Sequence, residues 1–202
     1  MERRLKSVRL GGASWLDYCR RETATGFLSF KQKVFKRDGW RCNHCGFVAS
    51  SYMQVLNWDG NYYNNVMSNM YTVCPLCFWS HFIEHSNASG VNRGILIYMP
   101  ELSQSDINGI MHAVFCSIAG ATTQETSAED MYKTLKLRAK SMESLFGEGR
   151  SDPTVFGQMV INSMNSDKRL YEKALENIRW LPSMTGFVNE VKQWSTDAAV
   201  SN

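Results

Sequence analysis

Two short motifs carry the chemistry of this sequence: Cys42-x-x-Cys45 and Cys74-x-x-Cys77, separated by 28 residues. Each pair can present two thiolates from one tight turn. Four thiolates match the tetrahedral, soft-ligand preference of zinc, with bonds of about 2.3 Å. The expected cofactor is one structural Zn2+ per chain, with Cys42, Cys45, Cys74 and Cys77 as ligands. An ion enclosed by sulfur keeps no open coordination position, so it braces a fold and activates no water. Iron–sulfur or redox use of the same thiols is the competing chemistry. Four thiols packed as small hydrophobes would not come in two regular pairs. Cys19 and Cys116 stand apart, with no paired base that would make either a nucleophile.

The rest of the composition narrows the setting of that site. The chain has 202 residues, 44% hydrophobic and 20% charged, enough to bury a core and too aromatic for disorder. Its longest apolar runs, residues 94–99 and 112–121, fall short of the roughly 18–20 residues that cross a bilayer. No apolar core of a signal peptide follows the basic start, so the expected compartment is reducing and four paired cysteines there read as metal ligands rather than disulfides. Residues 1–42 carry eleven Lys/Arg against four Asp/Glu, and residues 43–202 eleven against fifteen. A basic head can face phosphates or an acidic partner, but Lys36, Arg37 and Arg41 can equally offset the −2 charge of a Zn(Cys)4 centre.

The elements that must position the cysteines are read from pattern. Residues 1–30 suggest short irregular structure, with Gly11, Gly12 and Gly26 as breakers, and residues 31–37 a short helix or turn. Residues 51–58 have strand-like content, Asp59-Gly60-Asn61 signals a turn, residues 78–85 read as a helix and residues 94–99 as a buried strand closed by Pro100. Thereafter the pattern is helical. Ser103 or Ser105 can cap a helix with Ile107, Ile110, Met111, Val114, Phe115 and Ile118 inward. Ser127 opens another that ends at Gly147, with Met131, Leu135, Met142 and Leu145 inward and Lys133, Lys136 and Lys140 outward. Asp152-Pro153 starts a third, Ser166 caps a fourth carrying Leu170, Ala174 and Ile178, and a last short helix holds Phe187, Val191 and Trp194 before a frayed tail from Ser195. The expectation is an α+β chain: a mixed head over residues 1–100 and a helical region over residues 101–202, packed as one unit because no linker separates them.

The runs at residues 33–46 and 69–77 resemble the frame of HNH (ββα-metal) nucleases, in which cysteine pairs hold a structural zinc and a separate catalytic metal sits among His-Asn-His residues. The resemblance covers about residues 31–85, and the chain departs from it at the catalytic positions. Where the family places its general-base histidine, at the end of the first hairpin strand, stand Asn57 and Trp58, neither of which takes a proton from water near neutral pH. Asn69 matches the middle asparagine, and Phe78 replaces the histidine after the last cysteine. His81 and His85, i and i+4 with Glu84 nearby, have ligand-competent spacing but lack a third ligand and a facing base, whereas His44 and His112 read as surface or hydrogen-bonded residues. The resemblance thus implies a degenerate nuclease head with no catalytic residues; an active metal-dependent endonuclease or DNA-binding module is the alternative.

Beyond the head, residues 94–102, 146–153 with 156–158, and 177–183 are similar to a family of cytoplasmic components of Dot/Icm type IVB secretion systems. That resemblance implies a non-enzymatic adaptor of the coupling complex, peripheral to the bacterial inner membrane. It would bind the C-terminal extension of the coupling ATPase DotL and support effector recruitment, with DotM, IcmS and IcmW as indirect neighbours and no nucleic-acid partner. Among the aromatics, Trp58, Tyr62, Tyr63 and Trp79 are the candidates for partner contact.

Overall fold

The computed structural model describes residues 4–163, 173 and 175–200. Two helices precede the first cysteine pair, α1 (Ser14–Glu22) and α2 (Phe27–Arg37). The first replaces the irregular structure expected before residue 30. Trp15, Tyr18 and Arg21 recur at helical spacing and pack inward, and that burial outweighs the neighbouring glycine signals. Gly26, at φ 83°, makes the left-handed turn that separates α1 from α2.

Between the cysteine pairs, β1 (Gln54–Asn57) and β2 (Met70–Val73) form an antiparallel hairpin, with Gln54 opposite Val73 and Asn57 opposite Met70. It feeds directly into α3 (Pro75–Trp79). The single helix expected over residues 78–85 is broken, with α4 (Ile83–Ser86) starting anew. The Arg9 N–H donates to the Ser80 carbonyl at 2.8 Å, occupying the acceptor a continuing helix would have needed.

The buried run expected near residue 94 is β3 (Gly94–Tyr98). It is followed by α5 (Gln104–Ala119), whose first turn is closed by a full capping box between Ser103 and Asp106. The long helix expected from Ser127 is two, α6 (Glu125–Leu137) and α7 (Ala139–Phe146). The Tyr98 N–H reaches the Arg138 carbonyl at the break, and Met131 and Leu145 are exposed rather than inward. Asp152 caps α8 (Pro153–Ser163), its Oδ1 accepting from the Thr154 and Val155 N–H groups.

Ser166, Leu170 and Ala174, expected on the next helix, lie outside the described residues. Ile178, expected with them, belongs instead to β4 (Ile178–Pro182), five consecutive buried residues. β4 pairs antiparallel with β3, from Gly94 opposite Pro182 to Tyr98 opposite Ile178. A run buried on both faces has no amphipathic period to distinguish strand from helix, and the partner strand decides. The last helix, α9 (Val188–Val200), buries Val191 and Trp194 and runs past Ser195, where fraying was expected, as far as Val200. The two sheets and the helices around them share one hydrophobic cluster. Among the described residues no helix is long and apolar enough to cross a membrane.

Candidate metal centre

Local hydrogen bonds shape each cysteine pair. After α2 the chain turns through Gly39 and Trp40, both at positive φ, into a knuckle in which the Gly46 N–H donates to the Cys42 carbonyl (3.0 Å) and the Cys42 N–H to the Phe47 carbonyl (2.8 Å). The Asn43 N–H donates to the Thr72 carbonyl (2.9 Å), and Asp38 Oδ2 accepts from the Thr72 N–H (2.8 Å), fastening the knuckle and the end of α2 to β2. Burial would raise the Asp38 carboxyl, but hydrogen bonds from Arg37 and Thr72 prevail and hold it below the usual carboxylate value. The second pair sits on α3. Cys74 is its N-cap, accepting from the Cys77 N–H at 3.4 Å, and Pro75 occupies the first helical position where no N–H is needed.

The four sulfur atoms all lie within 4.8 Å of one another, and Cys45 and Cys74 are 3.6 Å apart. A tetrahedron with bonds of about 2.3 Å has sulfur–sulfur edges of about 3.8 Å, so the donor set fits a tetrahedral metal ion. The protonation pattern fits as well. Burial and the adjacent sulfurs push Cys74 and Cys77 well above the ordinary thiol value. Burial alone would also raise Cys42, but hydrogen bonds from Cys45, Cys74 and Cys77 draw it well below. A thiolate at Cys42 held by its sulfur neighbours, with Cys74 and Cys77 resisting ionisation beside it, marks a centre short of positive charge, which a soft divalent cation supplies. Among the described residues these cysteines are the one group of three or more metal-competent side chains within ligand-sharing distance.

Two residues of α5 complete the surroundings. The Asn108 Nδ2 group donates to Cys77 Sγ at 3.2 Å, and His112 Nε2 lies 3.1 Å from Cys74 Sγ. Asn108 is fully buried and His112 is 4% exposed, and burial draws the His112 imidazole down to about 3. His112 is thus one of the hydrogen-bonded residues, not a surface one; Asn108 went unremarked in the pattern. A usable signal existed: Gln104, Asn108 and His112 form a polar line at four-residue spacing beside the apolar stripe of the same helix.

At the positions of the nuclease resemblance every polar group is engaged in structure. Asn57 is buried; its Oδ1 accepts from Arg21, and its Nδ2 donates to the carbonyls of Asn61 (2.8 Å) and Asn64 (2.9 Å). Trp58 stacks on Tyr71 at 3.6 Å. Asn69 donates to Asp59 Oδ1 (2.9 Å) and the Asn64 carbonyl (2.8 Å), bracing the same loop. Phe78 is buried among Trp15, Tyr18, Trp79 and Phe82. The break after α3 separates His81 from His85. His81 meets His44, Nε2 to Nε2 at 3.0 Å, both rings buried, whereas His85 stacks on Trp15. Burial, then the neighbouring His44, hold the His81 imidazole well below its ordinary value.

The basic head is largely tied down by its own chain. Arg37 bonds Asp38 and the Met70 carbonyl, Arg41 bonds the Gly46 carbonyl within the knuckle, and Lys31 bonds Glu22. Of the aromatic candidates for partner contact, Tyr62 is core, Trp58 and Trp79 are half-buried, and Tyr63 is 68% exposed.

No family model matches the sequence. The chain is 40% identical over 185 residues to a curated relative, the type 4 apparatus protein DotN of Legionella pneumophila; the match spans 92% of this chain and 86% of the relative.

Proposed function

The chain belongs to the family of the type 4 apparatus protein DotN, and from that premise we propose that it is a zinc-stabilised, non-catalytic adaptor of a type IVB secretion coupling complex. The observation that carries this reading is the identity extending over nearly the full length of both proteins, because it includes the helical and β4 segments that a generic nuclease frame does not contain. In this reading Cys42, Cys45, Cys74 and Cys77 hold one structural zinc inside an HNH-like ββα head, built of β1, β2 and α3 and packed as one unit with residues 101–202. Zinc bound by four thiolates supplies charge neutralisation and cross-linking. The protein residues supply the rest: Asn57 and Asn69 brace a loop where a nuclease would need a base and a metal-positioning amide, so the head serves as a scaffold.

The partner is the C-terminal extension of the coupling ATPase DotL, which places the adaptor at the cytoplasmic face of the inner membrane and in support of effector recruitment. DotM, IcmS and IcmW are neighbours through that extension. Co-purification from the native host followed by crosslinking tests the assignment. The expected result is crosslinks to the ATPase extension; a full-length protein that elutes free of secretion components would overturn it. A plasmid-nicking assay with Mg2+, Mn2+ or Ni2+ addresses the nuclease alternative. No cleavage is expected, and cleavage abolished by Asn69→Ala or His81→Ala would replace the adaptor reading.

A further inference from the structure

A buried line of side-chain amides runs from the metal centre to the second sheet, and its polarity can be read from one fixed end. The backbone N–H of Trp180, on β4, can only donate, and it donates to Gln104 Oε1 at 2.8 Å. That settles the orientation of the Gln104 amide. Its Nε2 then donates to the Trp180 carbonyl (2.8 Å) and to Asn108 Oδ1 (2.9 Å). Asn108 must therefore turn its own Nδ2 away from Gln104, and the two hydrogens go to Ser80 Oγ (3.1 Å) and Cys77 Sγ (3.2 Å). Every donor and acceptor of both amides is used, and Gln104, Asn108, Ser80 and Trp180 are all fully buried. The line ends in a donor aimed at a sulfur, and sulfur accepts strongly when it is a thiolate or a metal-bound thiolate.

A second donor reaches the same pair from one turn further along α5. His112 is clamped between Phe47, stacked at 3.6 Å and 5° from parallel, and the edge-on ring of Trp194 at 4.8 Å. Its Nε2 is held 3.1 Å from Cys74 Sγ, while its Nδ1 has no hydrogen-bond partner. A metal-bound sulfur carries no proton to offer, so the tautomer that satisfies this contact bears its hydrogen on Nε2.

We propose that Asn108 and His112 are the outer donors to the zinc-bound sulfurs of Cys77 and Cys74, and that the Cys77–Asn108–Gln104–Trp180 line makes metal loading a determinant of how tightly β4 is held. The inference rests on the zinc reading above and adds two positioning residues and a path to it. Outer partners of metal ligands typically govern affinity by about 10–100-fold. They act here on residues that neither cysteine motif contains.

The test uses the full chain loaded with 113Cd in place of zinc, observed by NMR. Couplings from the Asn108 Nδ2 and His112 Nε2 hydrogens across N–H···S to the metal are expected, a signature that ordinary packing cannot produce and that requires no variant. Two further readouts follow. Asn108→Leu is expected to transfer zinc to a chelator roughly tenfold faster while still binding one ion. Stripping zinc from the unaltered protein is expected to speed amide exchange at Trp180 by at least that factor. Metal bound by four sulfurs without those couplings, with unchanged release from Asn108→Leu, overturns this inference and leaves the zinc reading standing. Failure of the unaltered protein to bind metal at the four sulfurs removes both.

Discussion

Single side chains make the sharpest statements about this molecule. Cys74 is at once a proposed ligand, the N-cap of α3 and the acceptor from Cys77, so Cys74→Ser is expected to lower the zinc content from one per chain to none. It should destabilise the fold by on the order of several kcal/mol, read by metal analysis and thermal melting. Glu84 offers a pH test. One of its oxygens accepts from the Gly12 N–H at 2.7 Å, the other is buried without a partner, and His85 lies 3.8 Å away. Burial raises this carboxyl above its ordinary value. The folded state therefore binds the proton more tightly than the unfolded one. Stability declines as pH rises from about 4.3 through the raised value, and the full penalty persists above it. Glu84→Gln keeps an acceptor for Gly12 and removes the charge, so its melting temperature should exceed that of the unaltered protein at pH 7.5 and converge with it toward pH 4. The four cysteines were legible in the sequence because their spacing is the chemistry. Asn108 and the His44–His81 contact were not, because a buried amide or imidazole declares itself only when another element supplies its partner.

The same contrast separates the elements. Those with a local signal were legible: the start of α5, narrowed to a cap at Ser103 or Ser105, the Asp152-Pro153 start of α8, and the turn between β1 and β2. Those decided by a distant neighbour were not, including β4, the break after α3 and the break between α6 and α7, each tied to a hydrogen bond from another part of the chain. Locally coded features should respond locally. Ser103→Ala removes the side-chain half of the box and is expected to cost about 1 kcal/mol. That corresponds to roughly 2–4 °C in the melting temperature of a chain this size. Contact-coded features are less forgiving. A methyl group at Gly157 would sit 2.7 Å from Glu84 Cβ and 2.9 Å from its Cα, so Gly157→Ala is expected to push α8 from α4 at a cost of about 1–3 kcal/mol, measurable by denaturant titration.

For the whole molecule, the decisive contacts join distant parts of the chain. Leu5 and Lys6 bond the start of α5, Asn108 reaches the second cysteine pair, and β3 finds its partner 80 to 88 residues downstream. A chain ending at residue 102 would leave Leu96 and Ile97, both fully buried, without the strand that covers them. Such a fragment is expected to lack a cooperative thermal transition even with zinc supplied, whereas the full chain melts in one step. Pairing across that distance also sets a schedule during synthesis. At about 5–20 residues per second, the ribosome takes roughly 4–16 s to make the stretch between β3 and β4. Until Arg138 and Ser151, whose carbonyls accept from the Tyr98 and Leu96 N–H groups, have been made, the nascent Gly-Ile-Leu-Ile-Tyr segment has both bonding edges bare, so the newborn polypeptide is most prone to self-association there, and a chaperone that shields those five residues protects its yield.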